Sequence, residues 1–353
     1  MSAKKRKAAK LPVSVLLVLV ALGVAGIYAW TVIPETRPVA DVRPGVVLCR
    51  YNDFSESTEQ RERGFLETMQ SEFPNVPILT TSQYLGTTKE TSVRRARQLL
   101  DTYGDNVRGV FCVCEPNGDG MLQVLEERKL AGKVPFVTCD ANAAMIAGLK
   151  SKKLDGIVLQ DPVNMGRTAV KTMVAHLGGE HVASRIGTGQ TLATANNADS
   201  EEIRTLLYPE RFTGQPFDPQ EAEWTIGVVT KGLTHEFWQS VRAGADLAAS
   251  EAGNVRIRFE APTLEQDLDR QIEIVRRLVE DGVSGICLSP IDSQKLVPVV
   301  VEAKSRGVPV VVFDSNLSDE PLYEGAPAKV SYVATDNYQV GVMAARKLAA
   351  LQR

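Results

Sequence analysis

Short apolar segments alternate with longer amphipathic stretches in two successive runs along this chain. In the first run the strand candidates are residues 45–50, 76–80, 109–114, 134–139 and 156–159, and in the second they are 225–230, 256–261, 285–289, 308–313 and 331–334. Helix candidates lie between them at residues 57–73, 91–103, 118–129, 236–252, 264–281, 292–306 and 337–351. Helices that alternate with continuously apolar strands are typical of parallel sheets covered on both faces. The sequence therefore predicts an α/β fold with two lobes, in which a ligand binds at the carboxyl ends of the strands.

Composition limits the function classes that are open to the chain. Of its 353 residues 44% are hydrophobic, which suffices for two modest lobes with separate cores. With 40 Lys and Arg against 43 Asp and Glu, the chain shows no excess of positive charge that would indicate a nucleic-acid partner. Its five cysteines and three histidines lack metal or redox spacing, and neither a phosphate loop nor a Gly-x-Ser-x-Gly motif is present. We therefore expect buried thiols, no cofactor, no metal and no catalytic residues, which favours a binding protein over an enzyme.

The N-terminal residues have the pattern of an export signal. Five basic residues between positions 4 and 10 precede an uncharged run over residues 11–30. A helix of this length spans about 30 Å at a rise of about 1.5 Å per residue, which matches the hydrocarbon core of a bilayer. Because a basic flank stays in the cytoplasm, we predict a signal anchor over residues 1–32, a proline-containing tether over 33–44 and an exported remainder. A cleaved signal peptide, with Gly23-Val24-Ala25 as its processing site, is the alternative.

Both runs resemble parts of one known family. The second run contains TIGVV (225–229), EFWQSVRAGA (236–245), GICLSP (285–290), VPVVVFD (308–314) and VATDNYQVG (333–341). The first contains QRERGF (60–65), GVFCVCEP (109–116), VTCD (137–140) and IVLQDPVNMG (157–166). The second run resembles the N-terminal half, and the first run the C-terminal half, of type-1 periplasmic sugar-binding proteins of the ribose-binding type. The resemblance implies two Rossmann-like lobes with parallel sheets, joined by a hinge.

The two halves stand in the reverse of the family's order. We interpret this as a circular permutation, in which residues 45–192 are the family's C-terminal half and residues 223–353 its N-terminal half. Residues 193–222, rich in Asn, Asp, Pro and Gly, are then a linker that joins the ordinary termini. The alternative is a fusion of two unrelated half-proteins.

The resemblance also implies how the halves are shared between the lobes. Lobe A is expected to contain residues 45–160 and the helix 337–351. Lobe B is expected to contain 162–187 and 223–334. The crossings form the hinge, to which Asp161, Asp336 and Asn337 are assigned by resemblance, and closure about the hinge is the expected working motion.

The resemblance assigns ligand contacts to residues near the ends of several strands. Phe237 and Trp238 correspond to an aromatic pair that packs on a sugar ring, although adjacent aromatics also serve as core. His235 stands at the position of a hydrogen-bonding Asn. Asp314 and Asp140 are expected to grip hydroxyls from opposite lobes, with capping of the next helix as the alternative role. Gln160 corresponds to an amide beside the hinge.

Departures from the ribose-binding pattern narrow the expected ligand. Ser315 and Glu59 stand where that pattern has arginines, although Arg61 is close to the second position. Cys114 and Glu115 stand where it has Asn and Asp. Because the exchange of arginine donors for a carboxylate changes which hydroxyls or charges a cleft favours, ribose itself is not expected. Another monosaccharide, a polyol, or an amino or cationic sugar-like solute remains open.

The function implied by the resemblance is the capture of a sugar or sugar-like solute on the periplasmic side of the inner membrane. The protein is expected to act as a monomer that supplies an ABC permease, either held by its anchor or released into the periplasm. An anchor also fits a sensor that signals occupancy to a membrane partner, since tethering raises the effective concentration. A transcription regulator is disfavoured because no helix-turn-helix accompanies the export signal.

Overall fold

Two six-stranded sheets with helices on both faces build the part of the chain that the computed structural model describes, which is residues 43–209, 218–318 and 329–352. The strands are β1 (Gly45–Arg50), β2 (Ile78–Tyr84), β3 (Val107–Cys112), β4 (Phe136–Cys139), β5 (Gly156–Gln160), β6 (Arg185–Gly187), β7 (Gln190–Ala193), β8 (Trp224–Val229), β9 (Val255–Glu260), β10 (Gly285–Leu288), β11 (Val310–Phe313) and β12 (Ser331–Ala334). The helices are α1 (Glu56–Glu72), α2 (Lys89–Tyr103), α3 (Glu115–Glu127), α4 (Ala143–Lys150), α5 (Pro162–Leu177), α6 (Glu201–Leu207), α7 (Glu236–Ala252), α8 (Leu268–Glu280), α9 (Val297–Ser305) and α10 (Asn337–Ala350). The predicted α/β fold with two lobes of parallel sheets is confirmed.

Lobe A is built on the sheet with the order β2-β1-β3-β4-β5-β7, in which all neighbours are parallel except β5 and β7. One face of this sheet packs against α2, α3, α4 and α6, with buried side chains such as Leu99, Leu125 and Leu149. The other face packs against α1 and α10 through residues that include Phe65 and Leu348. Burial on both faces explains why the inner strands β1, β4 and β5 are largely apolar, whereas the edge strand β2 is not.

Lobe B is built on the all-parallel sheet with the order β6-β12-β11-β10-β8-β9. One face packs against α8 and α9, with Leu278 and Val300 buried. The other face packs against α5 and α7 through residues such as Met173 and Val241. The two lobes therefore repeat one architecture, including a pair of helices on one face of each sheet.

The chain passes between the lobes at several places. It leaves lobe A between the end of β5 and the start of α5, and returns between β6 and β7. It enters lobe B again before β8 and returns to lobe A between β12 and α10. As a result, α5 follows a strand of lobe A but packs in lobe B, and α10 follows a strand of lobe B but packs in lobe A.

Glycines allow α10 to pack closely against α1 in lobe A, and α5 to pack closely against α7 in lobe B. A Cβ at Gly341 of α10 would lie 2.0 Å from the carbonyl oxygen of Arg61 in α1, and one at Gly64 of α1 would lie 2.0 Å from that of Tyr338. Lobe B repeats the arrangement, because a Cβ at Gly166 of α5 would lie 2.0 Å from the carbonyl oxygen of Val241 in α7. Such distances are far below van der Waals contact, so only glycine fits at these crossings.

The structure differs from the sequence expectation in several segments. The proposed linker 193–222 begins on the last residue of β7 and includes α6, whose Ile203 and Leu207 are buried against lobe A. Helices α4 and α5 and the strands β6 and β7 were not predicted, because they are short or adjoin a chain crossing. Residues 1–32 and most of the tether lie outside the described residues. In residues 43–209, 218–318 and 329–352, no helix has the length and apolarity needed to cross a membrane.

Substitution of Gly166 or Gly341 by alanine is expected to lower the free energy of unfolding by about 2–3 kcal/mol, because the added methyl group must displace a backbone carbonyl of the facing helix. Urea unfolding of the full-length protein measures the loss. Gly187→Ala is the matched control, since a Cβ there meets no atom within 4 Å. A similar loss in the control, or none in the two crossing variants, would contradict this account of the helix pairs.

Candidate functional site

The carboxyl ends of strands from both sheets border a cleft between the lobes, which contains roughly 380 Å³ of empty space, part of it open to solvent. Nine of the eleven ligand residues predicted from the sequence line this space: Arg61, Cys114, Glu115, Asp140, Gln160, His235, Phe237, Trp238 and Asp314. The structure thus brings together residues that lie far apart in the sequence. Tyr51, Ser55, Ser57, Thr58, Pro116, Lys231 and Glu265 also line the space, although the sequence analysis did not single them out.

Asp140 and Asp314 occupy equivalent places in the two lobes. Asp140 directly follows β4 and Asp314 directly follows β11, and both have left-handed backbone conformations, with φ of 63° and 62°. This conformation is uncommon for residues other than glycine and is often found at functional sites. Here the backbone N–H groups of the two residues are held by the carbonyl oxygens of Val158 and Val333, each at 3.0 Å.

The Asp140 carboxylate is fixed by two side chains of lobe A. Gln160 Nε2 donates to its Oδ1 at 2.8 Å, and Arg61 Nη1 lies 3.4 Å from its Oδ2. Burial raises the pKa of Asp140, and the charge of Arg61 and the amide of Gln160 counteract that rise. Arg61 is itself held, since its Nε donates to Asn337 Oδ1 at 2.8 Å and its Nη1 to the Val113 carbonyl at 2.8 Å.

The Asp314 carboxylate is paired with a lysine that the sequence analysis missed. Lys231 Nζ lies 2.7 Å from Asp314 Oδ2 and donates to Ser315 Oγ at 2.7 Å. It also reaches across the cleft to the hydroxyls of Ser55 at 3.2 Å and Ser57 at 3.3 Å. Lys231 stands two residues after the end of β8, so its position beyond a strand end was the available signal. A buried ammonium of this kind is stable because every partner is polar.

Glu265 is the centre of a third cluster. Its carboxylate accepts from Trp238 Nε1 at 2.6 Å and from the Tyr51 hydroxyl at 2.8 Å, and it lies 2.7 Å from His235 Nδ1. Burial opposes both charges, but their mutual attraction outweighs it. This attraction raises the pKa of His235 to about 9 and lowers that of Glu265 to about 2. Glu265 lies in the loop between β9 and α8, because the helix predicted over residues 264–281 starts only at Leu268.

The aromatic pair is partly core and partly wall. Trp238 is buried and lies edge-on to Phe237, with ring centroids 4.8 Å apart. Lys231 Nζ lies 5.9 Å from the Trp238 ring centroid, within the range of a cation–π contact. The two rings therefore give the cleft an apolar surface whose orientation is fixed by the Glu265 and Lys231 clusters.

Two acceptor atoms of the cleft walls have no hydrogen-bond partner within the described parts of the chain. They are Oε2 of Glu115 and Oε1 of Gln160, and both are buried. Burial also raises the pKa of Glu115 to about 7, against the opposing charge of His235. Because buried polar atoms are nearly always paired in native proteins, these two atoms mark where a ligand with hydrogen-bond donors would bind.

Two predicted residues, Ser315 and Glu59, lie around the cleft rather than in it, and a third, Cys114, lines it but is not on the predicted strand. Ser315 does not line the space but holds Lys231. Glu59 lies outside it, because it precedes Arg61 by two residues on α1, which turns its side chain by about 200° around the helix. Cys114, predicted on a strand, is the residue before α3, and burial raises the pKa of its thiol.

The three residues assigned to the hinge stand at the helix ends where the chain crosses. Asp161 caps α5 by accepting from Asn164 N at 2.9 Å, and Asp336 caps α10 by accepting from Gln339 N at 3.1 Å. Asn337 joins Arg61 to lobe B, since its Nδ2 donates to the Asp314 carbonyl at 3.4 Å. In residues 43–209, 218–318 and 329–352, no group of three or more His, Cys, Asp or Glu side chains is arranged to hold a metal ion.

Comparison with known proteins identifies the family. The sequence pattern of the periplasmic binding protein domain matches residues 39–181 and 226–352. The D-ribose/D-allose-binding protein of Pseudomonas aeruginosa is 34% identical over 116 residues, which cover 32% of this chain and 35% of that protein. The ribose import binding protein RbsB of Bacillus subtilis is 28% identical over 143 residues, 40% of this chain and 44% of that protein. Each of these alignments thus spans less than half of the relative's length.

A solved structure extends the likeness of fold to most of the chain. The arabinose-binding protein AraP of Geobacillus stearothermophilus aligns with a TM-score of 0.56 and 15% identity, covering 88% of each chain. At this identity the likeness concerns the fold alone. Because the domain pattern covers well over half of the residues, the chain belongs to the periplasmic binding protein domain family.

The His235–Glu265 pair is expected to make stability depend on pH. The pKa of His235 is raised from 6.5 to about 9, so its contribution is fully present below pH 6.5 and is lost as the pH rises through 9. Glu265, lowered from 4.5 to about 2, contributes above pH 4.5 and loses its contribution as the pH falls through 2.

Urea unfolding should therefore show that the protein loses on the order of 2 kcal/mol between pH 6 and pH 9.5 through this pair. In Glu265→Gln that part of the pH dependence should be absent, and the His235 imidazole should titrate at a lower pH in NMR spectra. An unchanged His235 titration in the variant would contradict the pairing.

Proposed function

We propose that this member of the periplasmic binding protein domain family captures a sugar or sugar-like small molecule between its two lobes and supplies it to an ABC permease. The observation that carries the proposal is the cleft in which Asp140 of one lobe and Asp314 of the other face a common space beside Phe237 and Trp238. Paired carboxylates accept hydrogen bonds from neighbouring hydroxyls, and aromatic faces pack on the C–H surface of a sugar ring.

The relatives support the class of ligand. Those aligned above are named for the binding of ribose or allose and for ribose import. All are named as binding proteins, which agrees with the sequence expectation of a binding protein over an enzyme. None of these names supports the signalling alternative.

The proposed site consists of the predicted cleft residues together with Lys231, Glu265 and Tyr51. In it, Asp140, Asp314, Gln160 and Glu115 are the ligand's acceptors, and the partners Arg61 and Lys231 orient the two aspartates. Asp161, Asp336 and Asn337 belong to the hinge, about which the lobes separate to admit the ligand. Ser315 is proposed to act through Lys231, and Glu59 lies outside the proposed site.

A location outside the cytoplasm is consistent with the family, whose members are described as periplasmic. We further infer that residues 1–32 hold the protein at the inner membrane, on the support of the five basic residues and the uncharged run that follows them. The protein would act as a monomer, since each chain supplies both walls of the cleft.

We also propose that the chain is a circular permutation of the family's usual order. Three observations support this. The two sequence relatives aligned above match over less than half of either chain. Residues 45–193 supply most of lobe A together with α5 and β6 of lobe B, and residues 224–352 supply most of lobe B together with α10 of lobe A. Gln352, after α10, donates to the Arg108 carbonyl at 2.9 Å, next to Val107, which pairs with Gly45 at the start of β1. The end of α10 thus lies beside the start of β1, where the family's order would join them.

A rearranged protein in which residues 223–353 precede residues 45–209, with Arg353 joined to Gly45, tests the permutation and keeps α6, whose Ile203 and Leu207 are buried against lobe A. It should unfold cooperatively and keep the ligand affinity of the natural order within about threefold, since the contacts of the cleft are unchanged. Circular dichroism and calorimetric titration provide the measurements. A rearranged protein that is unfolded, while the natural order folds, would contradict the proposal.

A thermal-shift screen of the full-length protein against monosaccharides, amino sugars and polyols tests the proposed function. A ligand should raise the melting temperature with concentration. Asp140→Asn and Asp314→Asn should each weaken binding by about tenfold or more, because a charged acceptor is lost. Asp199→Asn is the control, since its side chain is 83% exposed. The proposal fails if no sugar or polyol binds, or if both cleft variants bind like the control.

A further inference from the structure

We propose that Glu115 is a specificity-determining residue, which makes the cleft select a sugar or polyol that carries a protonated amino group. This inference rests on the proposed function and specifies the class of ligand. It follows from the charges that the cleft already neutralises and from the atoms that it leaves unpaired.

Three cations of the cleft are each matched by one carboxylate. Lys231 pairs with Asp314 at 2.7 Å, His235 with Glu265 at 2.7 Å, and Arg61 with Asp140 at 3.4 Å. Glu115 is a fourth carboxylate, and no cation within the described ranges forms an ion pair with it. The strongest opposing charge acting on Glu115 is that of His235, which is paired with Glu265. The ionised cleft therefore has one negative charge in excess.

The unpaired polar atoms of the cleft walls also favour a positively charged donor. Glu115 Oε2 and Gln160 Oε1 are buried acceptors without a partner. Several donors of the walls are already engaged: Trp238 Nε1 and the Tyr51 hydroxyl with Glu265, and Lys231 Nζ with Asp314 and Ser315. A ligand that pairs with the two unpaired oxygens must supply donors, and an ammonium supplies three of them with a positive charge.

The environment of Glu115 favours an amino sugar over a neutral or an acidic sugar. As the first residue of α3 it lies at a helix N-terminus, where a negative charge is favoured. Burial and the neighbouring charges of Glu236 and Asp140 oppose ionisation, whereas His235 and the Asn142 amide favour it. A neutral hydroxyl satisfies the oxygen but leaves the charge unmatched, and an acid sugar adds a further negative charge. A protonated amine satisfies both the hydrogen bond and the charge.

The test uses matched sugars that differ in charge. Calorimetric titration of the full-length protein at pH 7 compares glucosamine, glucose and glucuronate, and likewise galactosamine, galactose and galacturonate. We expect at least one amino sugar to bind about tenfold more tightly than its neutral counterpart, and the matching acid sugar to bind more weakly than both. In Glu115→Gln, which keeps the shape of the side chain, the preference for the amine should fall to about threefold or less.

Glu126→Gln, on the same helix with a side chain that is 42% exposed, is the matched control and should keep the preference. Thermal unfolding of both variants checks that they fold. If Glu115→Gln is unfolded, Glu115→Asp replaces it and should keep the preference for the amine, because it keeps the charge.

The outcomes separate this inference from the function on which it rests. A neutral sugar or polyol that binds as tightly as its amino counterpart, or a preference that survives in Glu115→Gln, overturns the role of Glu115 but leaves solute binding in place. Tight binding of an acid sugar has the same effect. If no sugar or polyol of any charge binds, both proposals fail.

Discussion

Close backbone contact between each helix that crosses to the other lobe, α5 or α10, and a helix of the lobe it joins is the constraint on which the rest of the structure depends. Gly64 and Gly341 bring α1 and α10 together in lobe A, and Gly166 and Gly244 do the same for α5 and α7 in lobe B. Each exchanged helix starts directly after a crossing, so its packing fixes the direction in which the chain leaves the other lobe. The glycines therefore fix the crossings, and with them the place where the two sets of strand ends meet.

The chemistry of the cleft follows from that meeting of strand ends. Asp140 and Asp314 each follow a central strand of their sheet and share a left-handed backbone conformation, which directs equivalent carboxylates into one space. Arg61 connects this pair to the crossing, because it binds Asp140 and also Asn337, the first residue of α10. The packing of the exchanged helix and the orientation of the ligand's acceptors thus depend on the same side chain.

Sequence reasoning predicted the fold and most of the cleft, and the features it missed can be explained one by one in physical terms. Buried parallel strands are continuously apolar, so β1 and β12 were placed at their observed bounds. Asp140 and Asp314 were identifiable because they end such strands. Glu265 was not, since it lies in a loop and acts through contacts with Tyr51 and Trp238 that exist only after folding. The short strand β6 was missed because three residues show no periodicity.

The arrangement of charges favours movement of the lobes. Each ion pair of the cleft lies within one lobe, with Arg61 and Asp140 in lobe A, and Lys231 with Asp314 and His235 with Glu265 in lobe B. The bonds that cross the cleft instead join a charged or neutral group to an uncharged one, as between Tyr51 and Glu265 or Lys231 and Ser55. Opening exchanges such bonds for bonds to water, at a net cost of about 1–3 kcal/mol each, whereas separating a buried ion pair would cost more. The cleft can therefore open without dividing any of its ion pairs, and each lobe keeps its binding groups oriented while it awaits a ligand.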